Sequence, residues 1–500
     1  MFQCPPPPTA TRQRRGFHPA LSFALLIGLS LPAMAGGLVV NLADDRHDAD
    51  PADGRCDVDN GLPGDQCSLR AAAEQARSRS THERRIRIAP SMAGKAIRIE
   101  RGPIPIAAGT ELTGNPKHLV RIDVANTHGE DALTADGPGI VTISGFDIRL
   151  SARSGAAIAG TQADTTITLS DLRIRTAQLE TPALRLIDGR VDCLRCRFVD
   201  GVSTAVKVDG GELRLVDSLV SDNRGADGGG LHITGGRVWL QRSEVSRNRS
   251  EANGGGIHQS GGELWLITSL LRGNLAARGG GGLAISGGVA ELQNSSVIGN
   301  VANANAGGEQ IGGGLLSEGK AQVRLRNSIV SANRVLAMTF GNECAGSEIF
   351  ADAANFIGPD PGCQPRSADN DLVLRSAAAM TTTMRPLPWG GLRVMAMPSP
   401  GHPAIDAGVS GCLADIDLDA DTPDQPLLID LRQLPRPAVN GARRCDLGAI
   451  QTRCDANCTD TVVQAAPSDA AVTPSNPLFQ AQTATPRHAS TSRTRDTSRP

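Results

Sequence analysis

Two of the three tryptophans, Trp239 and Trp265, stand 26 residues apart, and so do two histidines, His232 and His258. Indole faces hold sugar rings and aromatic residues dominate interaction hot spots, so the tryptophans are candidates for a glycan or receptor contact. The histidines are candidates for the same surface, or for metal. Asp415, Asp417, Asp419 and Asp421 set four carboxylates at alternate positions, as in the first ligands of a calcium loop. The run has neither the glycine nor the closing glutamate of an EF-hand. A solvated acidic loop is the alternative; the chain is read as needing no cofactor, with calcium the candidate at this run. No catalytic set stands out. In residues 202–334 the acidic side chains do not stack as a carboxylate pair or calcium cluster, and no nucleophile elbow is present.

The elements that carry these residues are legible as a repeat. Glycine runs at Gly228-Gly229-Gly230, Gly254-Gly255-Gly256, 279–282 and Gly312-Gly313-Gly314 each precede an apolar residue. A glycine pair follows at Gly210-Gly211, Gly235-Gly236, Gly261-Gly262 and Gly287-Gly288, and then an apolar-x-x-Asn signature ending at Asn223, Asn248, Asn274, Asn300 and Asn333. Those asparagines recur every 25, 26, 26 and 33 residues. Such a period marks a solenoid, whose units bury a face only by stacking on neighbours.

One unit holds three short alternating segments, for example 231–234, 237–241 and 243–248, each bounded by glycine or asparagine and none long enough for a helix. The fold expected is all-β: a right-handed parallel β-helix of roughly 26-residue coils, with asparagines hydrogen-bonded in a ladder. In that register Val238, Leu240, Leu264 and Leu266 point inward, and the tryptophans and histidines outward. Phe146, Leu172 and Phe198 continue the 26-residue spacing upstream. The coil is expected over 83–398, roughly twelve turns at ~4.8 Å per strand. Ser68 is a plausible N-cap for a helix to Arg79 that covers the first turn.

Composition agrees. Fifty-seven glycines, no tyrosine and 2% aromatic residues favour turns and an aliphatic core. A net charge of −2 gives no electrostatic case for nucleic acid or an anionic membrane. Residues 1–35 read as a signal peptide: Arg12, Arg14 and Arg15, an apolar run, then Ala33-Met34-Ala35 before Gly36. The apolar run is too short to span a bilayer, so no transmembrane segment is expected after cleavage. Ten cysteines then remain, in local couples Cys56/Cys67, Cys193/Cys196, Cys344/Cys363, Cys412/Cys445 and Cys454/Cys458, as expected of disulfides in an exported chain. Zinc is the alternative at Cys193/Cys196. Residues 459–500 are rich in Ser, Thr, Pro and Arg, which predicts a disordered tail.

Residues 36–82, with Val39-Val40-Asn41, the acidic stretch 44–53 and Cys67-Ser68-Leu69-Arg70-Ala71-Ala72, resemble the CSLREA domain of bacterial exported β-helix proteins, with Ala71 in place of the usual glutamate. Residues 399–458, with Pro403-Ala404-Ile405-Asp406-Ala407-Gly408, Asp430-Leu431-Arg432 and Cys445-Asp446-Leu447-Gly448-Ala449, are similar to the choice-of-anchor segment that ends such proteins. The coil repeats resemble the GGAI and FxxN repeats of polymorphic outer-membrane proteins. The resemblance implies an exported protein, secreted or on the outer-membrane surface, acting as an adhesin-like or structural rod. Its partners would be a polysaccharide, a cell-surface glycan or another surface protein. A polysaccharide lyase or glycoside hydrolase on a pectate-lyase-like β-helix is the alternative.

Overall fold

The computed structural model describes residues 37–125, 127–150, 155–176, 181–303, 311–336, 342–346, 348–367, 373–375, 380–386, 392–398, 402–408, 413–414, 425–427, 430–432 and 445–450. Most of them form a right-handed parallel β-helix of about ten turns. Each complete coil of the central part places two strands on a long face, one on a second face and a very short one on a third. One coil reads Leu231–Ile233, Arg237–Gln241, Glu244–Ser246 and Arg249–Ser250. The first three are the expected segments. The fourth follows the asparagine and was not expected.

Local chemistry sets the corners. The two strands of the long face are joined by the glycine pair, whose second member takes positive φ at Gly211, Gly236, Gly262 and Gly288 (69°, 74°, 72° and 84°). The bend to the second face places Asp217, Arg242, Thr268, Asn294 and Asn327 in the left-handed region. A buried serine follows each of them: Ser218, Ser243, Ser269, Ser295 and Ser328. From Ser243 onward the hydroxyl of each accepts the backbone N–H of the serine one coil earlier, as in Ser218 N to Ser243 Oγ and Ser243 N to Ser269 Oγ, both 3.1 Å, while Ser218 Oγ accepts from Cys196 N. This ladder repeats at the asparagine spacing.

The asparagines form the expected inner ladder. Asn274 donates its backbone N–H and its Nδ2 to Asn300 Oδ1 at 3.0 and 2.9 Å, and Nδ2 also to Val245 O at 2.9 Å. Its own Oδ1 accepts from Asn248 N and Nδ2 at 3.0 and 3.1 Å. This ladder explains the last glycine of each run. A Cβ at Gly230, Gly256, Gly282 or Gly314 would lie 3.0, 2.9, 3.1 or 2.7 Å from the Nδ2 of Asn248, Asn274, Asn300 or Asn333. Between the ladders runs an aliphatic core, with Leu231, Val238, Leu240, Val245 and their counterparts on later coils fully buried. Each such side chain contributes roughly 1.5–3 kcal/mol.

The first coil is closed as expected. Helix α1 (Leu69–Ser78) has Ser68 as its N-cap, with Oγ accepting from Ala71 N at 3.0 Å. Its buried residues join the core beside the first strand, Leu38–Val40, which pairs parallel with Arg85–Ile88. Arg70 anchors the helix: Nε and Nη2 donate to Asp45 at 2.8 and 3.0 Å, and Asp45 Oδ2 also accepts from Glu100 N and Arg101 N. Both side chains are buried, yet every charge has a partner, the condition under which a buried ion pair is tolerated.

Two expectations need correction. Phe198 does not continue the column of Phe146 and Leu172. Arg173 lies opposite Arg197, a 24-residue step, so Phe198 falls opposite Ile174 and Ile148. The coil does not run to residue 398 either, because Met380–Pro386 and Leu392–Pro398 pair antiparallel as a hairpin. Of the described parts of residues 399–450, the segments 402–408, 430–432 and 446–450 lie along the outside of the second face. Ala404, Leu431, Leu447, Ala449 and Ile450 pack on Leu270, Ile298, Ile329 and Phe356, with Ala449 N donating to Ser296 Oγ at 3.0 Å. Outward apolar residues at those four positions need such a cover.

Candidate functional site

Trp239 and Trp265 are in register on adjacent coils, each between inward residues that are fully buried. Their rings stack with centroids 5.0 Å apart and planes at 11°. They project out of the coil but do not form an open platform. Trp239 is only 6% exposed, with Arg214 Cζ 4.8 Å and Arg237 Cζ 5.7 Å from its ring. Trp265 is half-buried and packs beside Ile267, Leu427 and Cys445. The C-terminal segment therefore covers one indole, while arginines cover the other.

His232 and His258 are likewise in register, half-buried and stacked, with centroids 5.3 Å apart and planes at 15°. Burial pushes both imidazoles below their ordinary pKa. The charge of His258 adds to this for His232, and Asp227 opposes it for both. Nitrogen lone pairs lie in the ring plane, so two parallel stacked rings do not converge on one ion. Among the described residues, no group of three or more His, Cys, Asp or Glu is arranged to hold a metal ion. Asp415, Asp417, Asp419 and Asp421 lie outside the described residues.

Disulfides join Cys56 to Cys67, Cys193 to Cys196 and Cys344 to Cys363. The Cys193–Cys196 bond uses both thiols of the alternative zinc couple. Cys445 is also disulfide-bonded. Cys412, Cys454 and Cys458 lie outside the described residues.

A different surface comes from the second face before the C-terminal segment covers it. Its outward positions on successive coils carry Arg121, Asp147, Arg173 and Arg197 in one column, and Asp123, Arg149 and Arg175 in the next. Asp147 is buried, and three guanidiniums converge on it: Arg149 at 3.0 Å, Arg173 at 3.3 Å and Arg175 at 2.9 Å. Burial pushes this carboxyl up, but the hydrogen bonds from Arg175 and Arg149 outweigh it and hold Asp147 below the usual carboxylate range. Nearby, burial and the charge of Asp222 raise Asp200 in spite of Arg175 and Arg173. Burial and the charge of Arg173 lower the pKa of Arg197. The sequence signal for this cluster is the 26-residue spacing of Arg149 and Arg175 and of Asp147 and Arg173, weaker than the glycine runs because charged residues are common at outward positions. No family model, curated protein or solved structure matches the chain.

Proposed function

We propose that the chain is an exported β-helix rod, secreted or held at the bacterial outer surface, whose open flank binds an extended ligand such as a glycan. The observation that carries this reading is the stretch of the second face on which none of the described residues of 399–450 packs, where polar side chains recur in register from coil to coil. Such a surface offers the same group repeatedly along one line, as an extended polymer requires. Several features support export: the signal-like residues 1–35, the paired cysteines, and the CSLREA-like and choice-of-anchor-like segments at either end of the coil. Among the described residues no helix is long and apolar enough to cross a membrane.

In this reading residues 36–82 cap the first coil and 399–458 brace its flank. Calcium on the Asp415–Asp421 run would stiffen that brace. Trp265 serves to seat the C-terminal segment, with Trp239 stacked against it. Incubation of the full chain with a panel of plant, bacterial and host glycans tests the proposal. Retention without cleavage is expected. Depolymerisation would favour the lyase or hydrolase, and no binding to any glycan would remove the glycan reading.

A further inference from the structure

Resting on that reading, we infer that the flank ligand is an acidic polysaccharide, and that its carboxylate or sulfate groups dock on the arginines around Asp147. The first argument is charge. One buried carboxylate meets Arg149, Arg173 and Arg175, which leaves the excess positive. Arg197 follows Arg173 on the next coil, and Arg121 pairs with Asp123 on the preceding one. Asp200 opposes this excess from the adjoining corner, where Asp171 and Asp222 are paired with Arg195 and Arg247, and among the described residues of the two columns five arginines stand against Asp123, Asp147 and Asp200. The chain as a whole is slightly acidic, with a net charge of −2, so the excess is local.

The second argument is access. The side chains of Arg149, Arg173 and Arg175 keep 40%, 34% and 26% of their exposure. A guanidinium carries five N–H donors and spends at most two on one carboxylate, so donors remain for a second oxyanion. Asp147 holds the three side chains in place, which lowers the entropic cost of binding.

The third argument is spacing. Cations on adjacent coils recur at the strand separation of ~4.8 Å, close to the length of one pyranose residue, so successive charged sugars can meet successive coils. No aromatic side chain stands among these outward positions to stack a base, which disfavours single-stranded nucleic acid.

The test measures binding of the full chain to polygalacturonate, dextran sulfate, neutral dextran and a single-stranded oligonucleotide, at low and physiological salt. Both acidic polymers should bind, more weakly as salt rises, and their ratio separates carboxylate from sulfate. Arg149→Gln/Arg175→Gln should weaken binding about tenfold or more, the size of a lost charge-assisted contact. Arg121→Gln, a change at an exposed side chain, should weaken it less and provides a folded control. Binding to dextran as tight as to the acidic polymers would overturn the inference and leave the rod intact. Binding to no glycan removes both readings. Oligonucleotide binding tighter than polygalacturonate would overturn the inference in favour of nucleic acid. Acidic-polymer binding unchanged in both arginine variants would place the ligand elsewhere and overturn it as well.

Discussion

Glu343 offers the sharpest quantitative test of the ladder. Its backbone occupies the place that the last glycine of each run holds on earlier coils, since Leu315 N donates to Glu343 O as Leu231 N donates to Gly256 O. Its side chain turns onto the end of the asparagine ladder, where Oε2 accepts from Asn333 N at 3.1 Å and Asn333 Nδ2 at 2.8 Å. The pairing of Val330 with Ile357 places Asp360 at the next ladder position, and Glu343 N donates to Asp360 Oδ2 at 2.9 Å. Burial, aided by the charge of Asp360, outweighs the hydrogen bonds from Asn333 and raises the Glu343 carboxyl from 4.5 to about 7. The folded state therefore keeps this proton to higher pH than the unfolded chain. The contribution of Glu343 to stability is fully present below pH 4.5, falls as pH rises, and levels off above about 7. At about 1.4 kcal/mol per tenfold in the proton equilibrium, the loss is about 3 kcal/mol. Glu343→Gln keeps a neutral acceptor and donor of the same shape. The variant should match the parent on the acid side of that window and exceed it by up to about 3 kcal/mol on the alkaline side, read by urea denaturation across the window. A difference independent of pH, or one that grows toward acid, would refute the reasoning.

Asn274→Leu removes the acceptor of Asn248 N and the Nδ2 donor to Val245 O; two unpaired buried groups should cost about 2–5 kcal/mol, and an unchanged melting temperature would exclude a stabilising ladder. Trp239→Ala should cost about 3–5 kcal/mol, as for a core aromatic, and Trp265→Ala less; lost binding with unaltered melting in both variants would show open indoles instead. Asp45→Asn leaves Arg70 in a buried site without its full countercharge and should destabilise the cap by about 3–5 kcal/mol. Exposed strand edges should then produce aggregation before loss of the β circular-dichroism signal, and a variant that remains monomeric with parental melting would show that the pair does not secure the cap.

The coil was legible because its determinants are local. The segment 237–241 is the strand Arg237–Gln241, since a glycine corner and five alternating residues fix both ends. The serine ladder carried an equally clear period, yet serine is common in loops and its inward role appears only once the backbone places it beside the previous coil. Phe198 misled because a 24-residue coil breaks a spacing that the sequence happens to preserve. Glu343 has no periodic signal at all, lying ten residues after Asn333. The seating of Leu447 and Ala449 on Phe356 and Ile329 is a contact between distant segments, which no local pattern encodes. The indoles were read correctly as outward, but what covers Trp265 comes from that same distant segment.

The clash that any Cβ at Gly256 would make with Asn274 ties each coil to its successor through two positions at once. A change at either member therefore needs a matching change at the other, whereas a whole coil carries a complete set of both. Removing residues 248–273 would join Arg247 directly to Asn274 and leave the glycine, serine and asparagine columns continuous; removing half that span would break all of them. The ladders alone would let coils be gained or lost in whole steps, but losing this one also takes away Trp265, Ile267 and Leu270, on which the C-terminal segment packs, so coil number is a free quantity only where that segment does not rest.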